Sequence, residues 1–321
     1  MDKKFKILSL DGGGVRGYLT IMILENVEKQ LNARDNSKKP LGEYFDLIAG
    51  TSTGAIIGGL LAIGKSASEV RKIYEKDIKE IFSDSMQNIF PFNKFPLNLF
   101  STKYSNYNLT QKAEEYFEDL TFKDVTTDLL VTSVDITTMT PRFYKSDYNS
   151  RNASRADEKL SDAIVASASA PVFFPVKEKL EHSSQLIDGG IVANNPSLIA
   201  LIDAFSFDNK PNQSDIVLLS VGTGKSCELP YDAKELNNTT YKWLRHKGES
   251  PLIEILMNSQ STLAEFQTSF MMKHFEASSQ YLRMNPLLST KVKLDDAKNI
   301  DVLKNISDLK SDENDWVRTN L

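Results

Sequence analysis

A serine between two glycines is the first group in this sequence whose residue types and spacing could do chemistry. The sequence Gly-Thr-Ser-Thr-Gly at 50–54 has Ser52 at its centre. The apolar run 44–49 before it predicts a buried strand, and the apolar run 55–63 after it predicts a buried helix. A Gly-x-Ser-x-Gly turn between a strand and a helix presents a serine as a nucleophile. The alternative is a glycine-rich loop in which Ser52 only caps the helix.

A serine hydroxyl becomes a good nucleophile only when a positioned base takes its proton. The chain has three histidines, His182, His246 and His274, and none of them follows an apolar strand with turn glycines. We therefore expect surface or structural roles for all three. Asp188 instead ends the short apolar strand 185–187 and precedes two glycines, at the kind of strand end where sites form in parallel α/β sheets. Partial burial would raise its pKa and make it a better general base, whereas an ordinary Asp-Gly-Gly turn is the alternative.

A second glycine-rich loop, Asp-Gly-Gly-Gly-Val-Arg-Gly at 11–17, lies between a predicted strand and a predicted helix. Its backbone amides could bind an anion. Gly12, Gly14 and Gly17 also match the dinucleotide-binding fingerprint, which requires an acidic residue at the end of the next strand, about twenty positions on. Asp35 lies near that distance but within a polar loop. A non-catalytic nucleotide-binding module is therefore the weaker interpretation.

Composition limits the remaining function classes. The 321 residues carry a formal net charge of −5, which gives no electrostatic reason to expect a nucleic acid polymer as partner. The single cysteine, Cys227, excludes an intramolecular disulfide and fits a reducing compartment. The uncharged run 47–64 is interrupted by glycines, and the first residues lack the apolar run of a signal peptide. We expect one domain over 1–321, with a polar, fraying tail from about 295, in a cytoplasmic protein that can lie peripherally at a membrane.

The segment 89–100 is aromatic, contains two prolines and has a single charged residue. A buried irregular segment is one interpretation. The other is a lid, or an apolar surface that meets lipid.

The three motifs at 11–17, 50–54 and 188–190, in this order, resemble the patatin-like phospholipase family. The similarity extends over roughly 5–285 and includes Ala-Ser-Ala-Ser-Ala-Pro at 166–171. It implies a three-layer α/β/α fold with a mainly parallel central sheet. It also implies a catalytic dyad without histidine, no metal and no cofactor. The residues that would take these roles are Ser52 as nucleophile, Asp188 as general base, Gly12, Gly13 and Gly14 as oxyanion hole, and Arg16 as the residue that orients the glycine loop.

The resemblance further implies a lipid acyl hydrolase that cleaves fatty-acyl esters of membrane glycerophospholipids through transient surface contact. A triglyceride lipase or general esterase would use the same residues. The stretch 246–257 and the pattern at 281–286 resemble the plant-type branch of the family. Bacterial members of this branch include phospholipase effectors of antiphage defence that cyclic dinucleotides activate, so a nucleotide activator is a further alternative. The oligomeric state does not follow from these motifs.

Overall fold

The computed structural model describes residues 4–81, 102–149, 156–179, 184–226, 231, 233–236, 240–246, 249–290, 292–297, 300–306 and 308–321. The aromatic segment 89–100, His182 and Cys227 lie outside these ranges.

The described strands follow one another along the chain as β1 (Phe5–Leu10), β2 (Leu47–Gly50), β3 (Asp128–Asp135), β4 (Thr140–Lys145), β5 (Lys177–Lys179), β6 (Ser184–Asp188), β7 (Ile216–Val221), β8 (Lys225–Ser226), β9 (Tyr281–Met284) and β10 (Leu287–Leu288). The described helices are α1 (Gly17–Asp35), α2 (Thr53–Ala62), α3 (Ala67–Ile81), α4 (Tyr107–Phe117), α5 (Leu160–Ala168), α6 (Gly190–Ala193), α7 (Ser197–Asp203), α8 (Ala233–Leu236), α9 (Thr240–Leu244), α10 (Pro251–His274) and α11 (Ser311–Asn320).

The central sheet has the strand order β5-β6-β3-β2-β1-β7-β9, and β4 also pairs with β3. The pairs β1–β2, β1–β7, β2–β3 and β7–β9 are parallel. The pairs β3–β4, β3–β6 and β5–β6 are antiparallel. The sheet is thus parallel at its centre and antiparallel on the β5–β6 side, which confirms the predicted α/β class.

Alternate residues of the central strands pack on opposite faces of the sheet, as a strand covered on both sides requires. In β1, Leu8 and Leu10 join a core formed with α1, α2, α3 and α5, whereas Ile7 joins a second core that includes residues of α7 and α10. The sheet therefore lies between two helical layers, which is the predicted three-layer arrangement.

The C-terminal region differs from its prediction. Instead of fraying from about 295, the chain forms α11, which packs against α1. Val317 and Leu321 are buried, and the Arg318 side chain bonds the Gln30 side chain of α1. The prediction was wrong because a few apolar residues, spaced along a polar segment, suffice to hold a helix whose partner surface already exists.

Candidate active site

Three strand ends lie side by side at one edge of the sheet. Leu10, at the end of β1, pairs with Gly50 of β2 on one side and with Val221 of β7 on the other. Because these strands are parallel, the segments that follow them leave the sheet at the same edge. The register therefore brings together the glycine loop 11–17 and the serine turn 50–54.

The turn that carries Ser52 is strained and tightly packed. Ser52 has φ 54° and ψ −120° at the N-terminus of α2, a conformation that costs about 1–3 kcal/mol for a residue other than glycine. A Cβ on Gly54 would lie 2.3 Å from the Leu10 carbonyl oxygen, and one on Gly50 would lie 2.4 Å from the Gly54 carbonyl oxygen. Glycines are thus required where the strand and helix meet. The serine is held in a position typical of a nucleophile.

Asp188 reaches the same edge from another direction. It is the last residue of β6, which runs antiparallel to β3, whereas the sequence interpretation placed it in a parallel sheet. Asp188 pairs with Ser133 of β3, two residues beyond Val131, and Val131 pairs with Gly50 of β2. The register of β3 therefore places Asp188 beside the turn that begins at Gly50.

The Asp188 carboxylate is almost completely buried, with 2% of the residue exposed. Its Oδ1 accepts a hydrogen bond from the Gly190 backbone N–H at 2.6 Å, and its Oδ2 accepts none from the described residues. Burial raises the pKa of Asp188 to about 7, although the Gly190 N–H and the nearby Ser52 hydroxyl act to lower it. A carboxylate with this pKa can accept a proton from an alcohol far better than an exposed aspartate can.

The end of α5 joins the two candidate residues. The Ser52 backbone N–H donates to Ser167 Oγ at 2.9 Å. The Gly189 N–H donates to the Ser167 carbonyl at 3.3 Å, and the Asp188 N–H donates to the Ser169 carbonyl at 3.0 Å. The Ala-Ser-Ala-Ser-Ala-Pro motif thus forms hydrogen bonds with the backbone at both Ser52 and Asp188 and fixes their relative position. Sequence reasoning noted the motif but assigned no role to Ser167, since its partner lies 115 residues away.

The three glycines predicted as the oxyanion hole differ in what their amides do. The Gly12 N–H donates to the Asn194 carbonyl at 2.9 Å and is therefore already engaged. Within the described ranges, no acceptor is paired with the N–H of Gly13 or Gly14. Gly14 also lines the cavity in which Ser52 lies. The geometry thus leaves the amides of Gly13 and Gly14 for an anion, and gives the Gly12 amide a structural contact that the local sequence did not indicate.

Arg16 lies behind the glycine loop. Its backbone N–H donates to the Gly13 carbonyl at 3.2 Å. Arg16 lines a polar cavity together with Asp11, Asn194 and Glu254, and does not line the cavity of Ser52. Burial lowers the pKa of Arg16, and the charges of nearby acidic residues act in the opposite direction. The side chain thus lies outside the cavity of Ser52, and its predicted role in orienting the loop stays a prediction.

Tyr74 of α3 connects the glycine loop to the serine turn. Its hydroxyl donates to the Gly14 carbonyl at 2.6 Å and lies 2.9 Å from Thr53 Oγ1. A Cβ on Gly17 would lie 2.3 Å from Thr53 Oγ1 and 2.8 Å from the Tyr74 hydroxyl. The contact therefore depends on glycine at position 17. Sequence reasoning did not identify Tyr74, because its partners lie 60 and 21 positions away in the sequence.

Ser52 and Asp188 line a cavity that is mainly apolar. It holds about 1020 Å³ of space between atoms, counting its opening to solvent. Its walls come largely from α2, α3, α4 and α5, and they include Ile56, Leu60, Ile73, Ile78, Phe117 and Ile164. Asp77, Lys112 and Tyr116 form a polar patch in this wall, where the Lys112 Nζ lies 3.4 Å from Asp77 Oδ1. Such a cavity fits an apolar chain whose reacting group reaches the serine.

The two histidines within the described ranges, His246 and His274, do not line this cavity. His246 forms a short bridge with Glu249, and His274 lies exposed in the last turn of α10. Among the described residues, no group of three or more His, Cys, Asp and Glu side chains could hold a metal ion. The helices of the described ranges do not include one with the length and hydropathy needed to cross a bilayer.

Residues 8–201 match the family model described as "Patatin-like phospholipase". "Patatin-like protein 4" of Arabidopsis thaliana is 31% identical, over 96% of this chain and 83% of that protein. A "cGAMP-activated phospholipase" of Escherichia coli (strain TW11681) is 34% identical, over 68% of this chain and 62% of that protein. The crystal structure of VipD from Legionella pneumophila aligns with a TM-score of 0.45 at 11% identity, over 99% of this chain and 67% of that one.

Proposed function

Because the chain belongs to the patatin-like phospholipase family, we propose that it is a phospholipase A-type hydrolase with Ser52 as nucleophile and Asp188 as general base. The observation that carries the proposal is the buried Asp188 carboxylate, with one oxygen unpaired among the described residues, beside a serine on a strained turn. The absence of histidine from the described cavity lining agrees with a two-residue mechanism.

In the first half of the reaction, Ser52 Oγ attacks the carbonyl carbon of a fatty-acyl ester and its proton passes to Asp188 Oδ2. The carbonyl oxygen gains negative charge, which the amides of Gly13 and Gly14 and the N-terminus of α2 stabilise. Collapse of this intermediate breaks the ester bond. Asp188 returns the proton to the departing alcohol, and the acyl group remains on Ser52.

In the second half, Asp188 takes a proton from a water molecule as that water attacks the acyl-enzyme. The same amides hold the second oxyanion. Breakdown releases the fatty acid, and the proton on Asp188 returns to Ser52 Oγ. The buried carboxylate thus alternates between base and acid, which a pKa of about 7 favours at neutral pH.

The shape of the cavity supports a lipid substrate. One acyl chain would lie among the apolar side chains of α2 to α5, with its ester carbon at Ser52. The rest of a glycerophospholipid would extend through the opening towards solvent. Triglyceride and simple esters share this acyl chemistry, so fatty acid release from phospholipid vesicles, measured beside release from triglyceride, decides the substrate class.

The test is covalent labelling by a fluorophosphonate ester probe, which reports an activated serine. We expect labelling and ester hydrolysis to disappear in Ser52→Ala while the far-UV circular dichroism stays unchanged. Ser214→Ala, which changes an exposed serine just before β7, is the matched control and should keep both activities. Full labelling of Ser52→Ala would show that another residue is the nucleophile.

A nucleotide activator is a second candidate feature, favoured by the similarity to the "cGAMP-activated phospholipase" of E. coli. We propose no residues for it. Hydrolysis measured with and without cGAMP tests it directly. A rise in turnover that is absent in Ser52→Ala would support activation, and equal rates would exclude cGAMP as the activator.

A further inference from the structure

Helix α10 exposes an apolar stripe on the face opposite the protein core. Leu263, Phe266 and Phe270 have 54%, 68% and 62% of their surface exposed, and Leu252, Ile255 and Leu256 continue the stripe towards the N-terminus. At 100° per residue these six side chains fall within an arc of about 100° and extend over about 27 Å of helix. The exposed Ser259 lies in the same arc, between Leu256 and Leu263. An exposed apolar surface of this kind marks a place where something else binds.

The opposite side of α10 is buried. Ile253, Met257, Ala264 and Met272 face the protein, and Ile253 and Met257 also line the cavity of Ser52. The helix therefore has apolar side chains on two opposite faces, with polar residues between them. Exposure of the outer apolar face to water is unfavourable unless a second surface covers it.

The charged residues around the stripe indicate what kind of surface covers it. The two carboxylates of α10 turn away from the stripe, because Glu254 accepts a hydrogen bond from the Tyr231 hydroxyl and Glu265 pairs with Lys225. Lys273 continues the stripe at its C-terminal end. Helix α9, which packs against α10, exposes Tyr241, Trp243 and Leu244 in a segment that also contains Lys242 and Arg245. Apolar and aromatic side chains flanked by cations suit the boundary between acyl chains and anionic headgroups.

Helix α10 is also joined to the candidate base. The Gln260 side chain accepts from the Asn194 N–H at 2.6 Å and donates to the Ile191 carbonyl at 2.9 Å. A Cβ on Gly190 would lie 2.9 Å from the Met257 methyl. The helix that carries the stripe therefore packs directly on the segment that follows Asp188.

We propose that the exposed stripe of α10, with α9 beside it, is the surface that docks this protein on an anionic lipid bilayer. This rests on the proposed function, because a phospholipid substrate lies in a membrane surface and the same helix contributes Ile253 and Met257 to the cavity of Ser52. The six apolar side chains enter the interface, and Lys273 contacts headgroup phosphates.

The first experiment measures sedimentation with vesicles of phosphatidylcholine and phosphatidylglycerol, in a Ser52→Ala background so that the lipid stays intact. We expect Phe266→Ser/Phe270→Ser to weaken partitioning about tenfold or more. Met139→Ser, which changes an exposed apolar residue in the turn between β3 and β4, is the matched control and should bind as before. Lys273→Gln should weaken binding about fivefold on these vesicles and leave binding to pure phosphatidylcholine unchanged.

A second experiment separates docking from catalysis. With Ser52 intact, Phe266→Ser/Phe270→Ser should hydrolyse a soluble short-chain nitrophenyl ester at the wild-type rate and lose hydrolysis of vesicle phospholipid. If wild type hydrolyses no ester, the proposed function fails while the binding result still stands. Unchanged vesicle binding by the double variant overturns the docking proposal. A change from dimer to monomer in light scattering, with vesicle binding retained, would instead assign the stripe to a second copy of this chain.

Discussion

Two Asp-Gly-Gly sequences occur at strand ends in this protein, and their aspartates have opposite surroundings. Asp11 follows β1 and Asp188 ends β6, and both are buried, with 3% and 2% of the residue exposed. Asp11 is held by Arg283, whose Nη1 and Nη2 donate to its two oxygens at 2.7 and 2.5 Å. Within the part of the chain that the structure describes, Asp188 has no such cation, and the causes of its pKa shift are burial, the Gly190 N–H and the Ser52 hydroxyl.

The difference separates a structural carboxylate from a reactive one. A bidentate arginine pairs with both oxygens of Asp11 and acts to lower its pKa, against the burial that raises it. The unpaired Oδ2 of Asp188 keeps a position for a proton next to Ser52. We infer that the Asp11 region contributes backbone amides to the site, whereas the Asp188 region contributes the side chain.

The largest expected effect comes from Asp188→Asn, which keeps the shape of the side chain and removes its basicity. We expect ester turnover to fall by about 10² to 10⁴, the usual contribution of a general base. The melting temperature should stay the same or rise, because a buried ionisable group without a cation is replaced by a neutral one. Near-full activity in this variant, with loss in His246→Ala or His274→Ala, would show that the dyad is assigned wrongly.

Asp11→Asn should act mainly on stability. It leaves the buried Arg283 guanidinium without its carboxylate, and we expect the free energy of unfolding to fall by about 3–5 kcal/mol in urea denaturation. The double variant Asp11→Asn/Arg283→Met should recover part of this loss, because no charge is then left unpaired. Wild-type stability in Asp11→Asn would mean that the two aspartates are more alike than the contacts indicate.

The pH dependence follows from the raised pKa of Asp188. Below about pH 7 the base is protonated, so kcat/KM should rise tenfold per pH unit and level off above that value.

The effect of the raised Asp188 pKa on folding stability has the opposite sign. Because folding raises this pKa from 3.8, the folded chain holds the proton more tightly, and the group's stabilising contribution is lost as pH rises through about 7. Thermal unfolding of wild type and Asp188→Asn at several pH values should show this difference. Equal pH dependence of the two proteins would contradict the assignment.

Tyr74→Phe should have the smallest effect of these variants. It tests whether the amides of Gly13 and Gly14 contribute to turnover. The variant loses the contacts to the Gly14 carbonyl and Thr53 Oγ1, each worth about 1 kcal/mol. We expect kcat to fall about tenfold with KM nearly unchanged, because the loosened amides act on the transition state. Tyr107→Phe, on an exposed part of α4, is the control. An increase in KM alone would assign Tyr74 to substrate binding.

Much of the fold could be predicted from local patterns of apolar residues in the sequence. The apolar run 44–49 predicted a strand, which is observed as Leu47–Gly50, and the apolar run 55–63 predicted a helix, which is observed as Thr53–Ala62. Both elements are apolar runs separated by the glycine-bounded serine turn, so neighbouring residues determine them. The C-terminal helix was missed because the surface of α1 that stabilises it is distant in sequence.

The candidate site was likewise predictable from local sequence only in part. The motifs of the sequence were enough to indicate the family, which the comparisons confirm, and to select Ser52, Asp188 and the glycine loop as candidates. The roles of these residues remain proposals. Local sequence could not indicate that the Gly12 amide is engaged by Asn194 or that Ser167 holds the Ser52 amide, since hydrogen bonds between distant segments leave no periodic pattern.

The sequence by itself determined which residues can do chemistry, because residue type and the glycines beside it set nucleophilicity and turn geometry. Only the tertiary structure showed how the surroundings of the two Asp-Gly-Gly sequences differ. Asp11 meets an arginine 272 positions away, whereas Asp188 meets a serine and, among the described residues, no cation. The reactivity of a carboxylate depends on burial and on neighbouring charge, and the folded chain alone decides both.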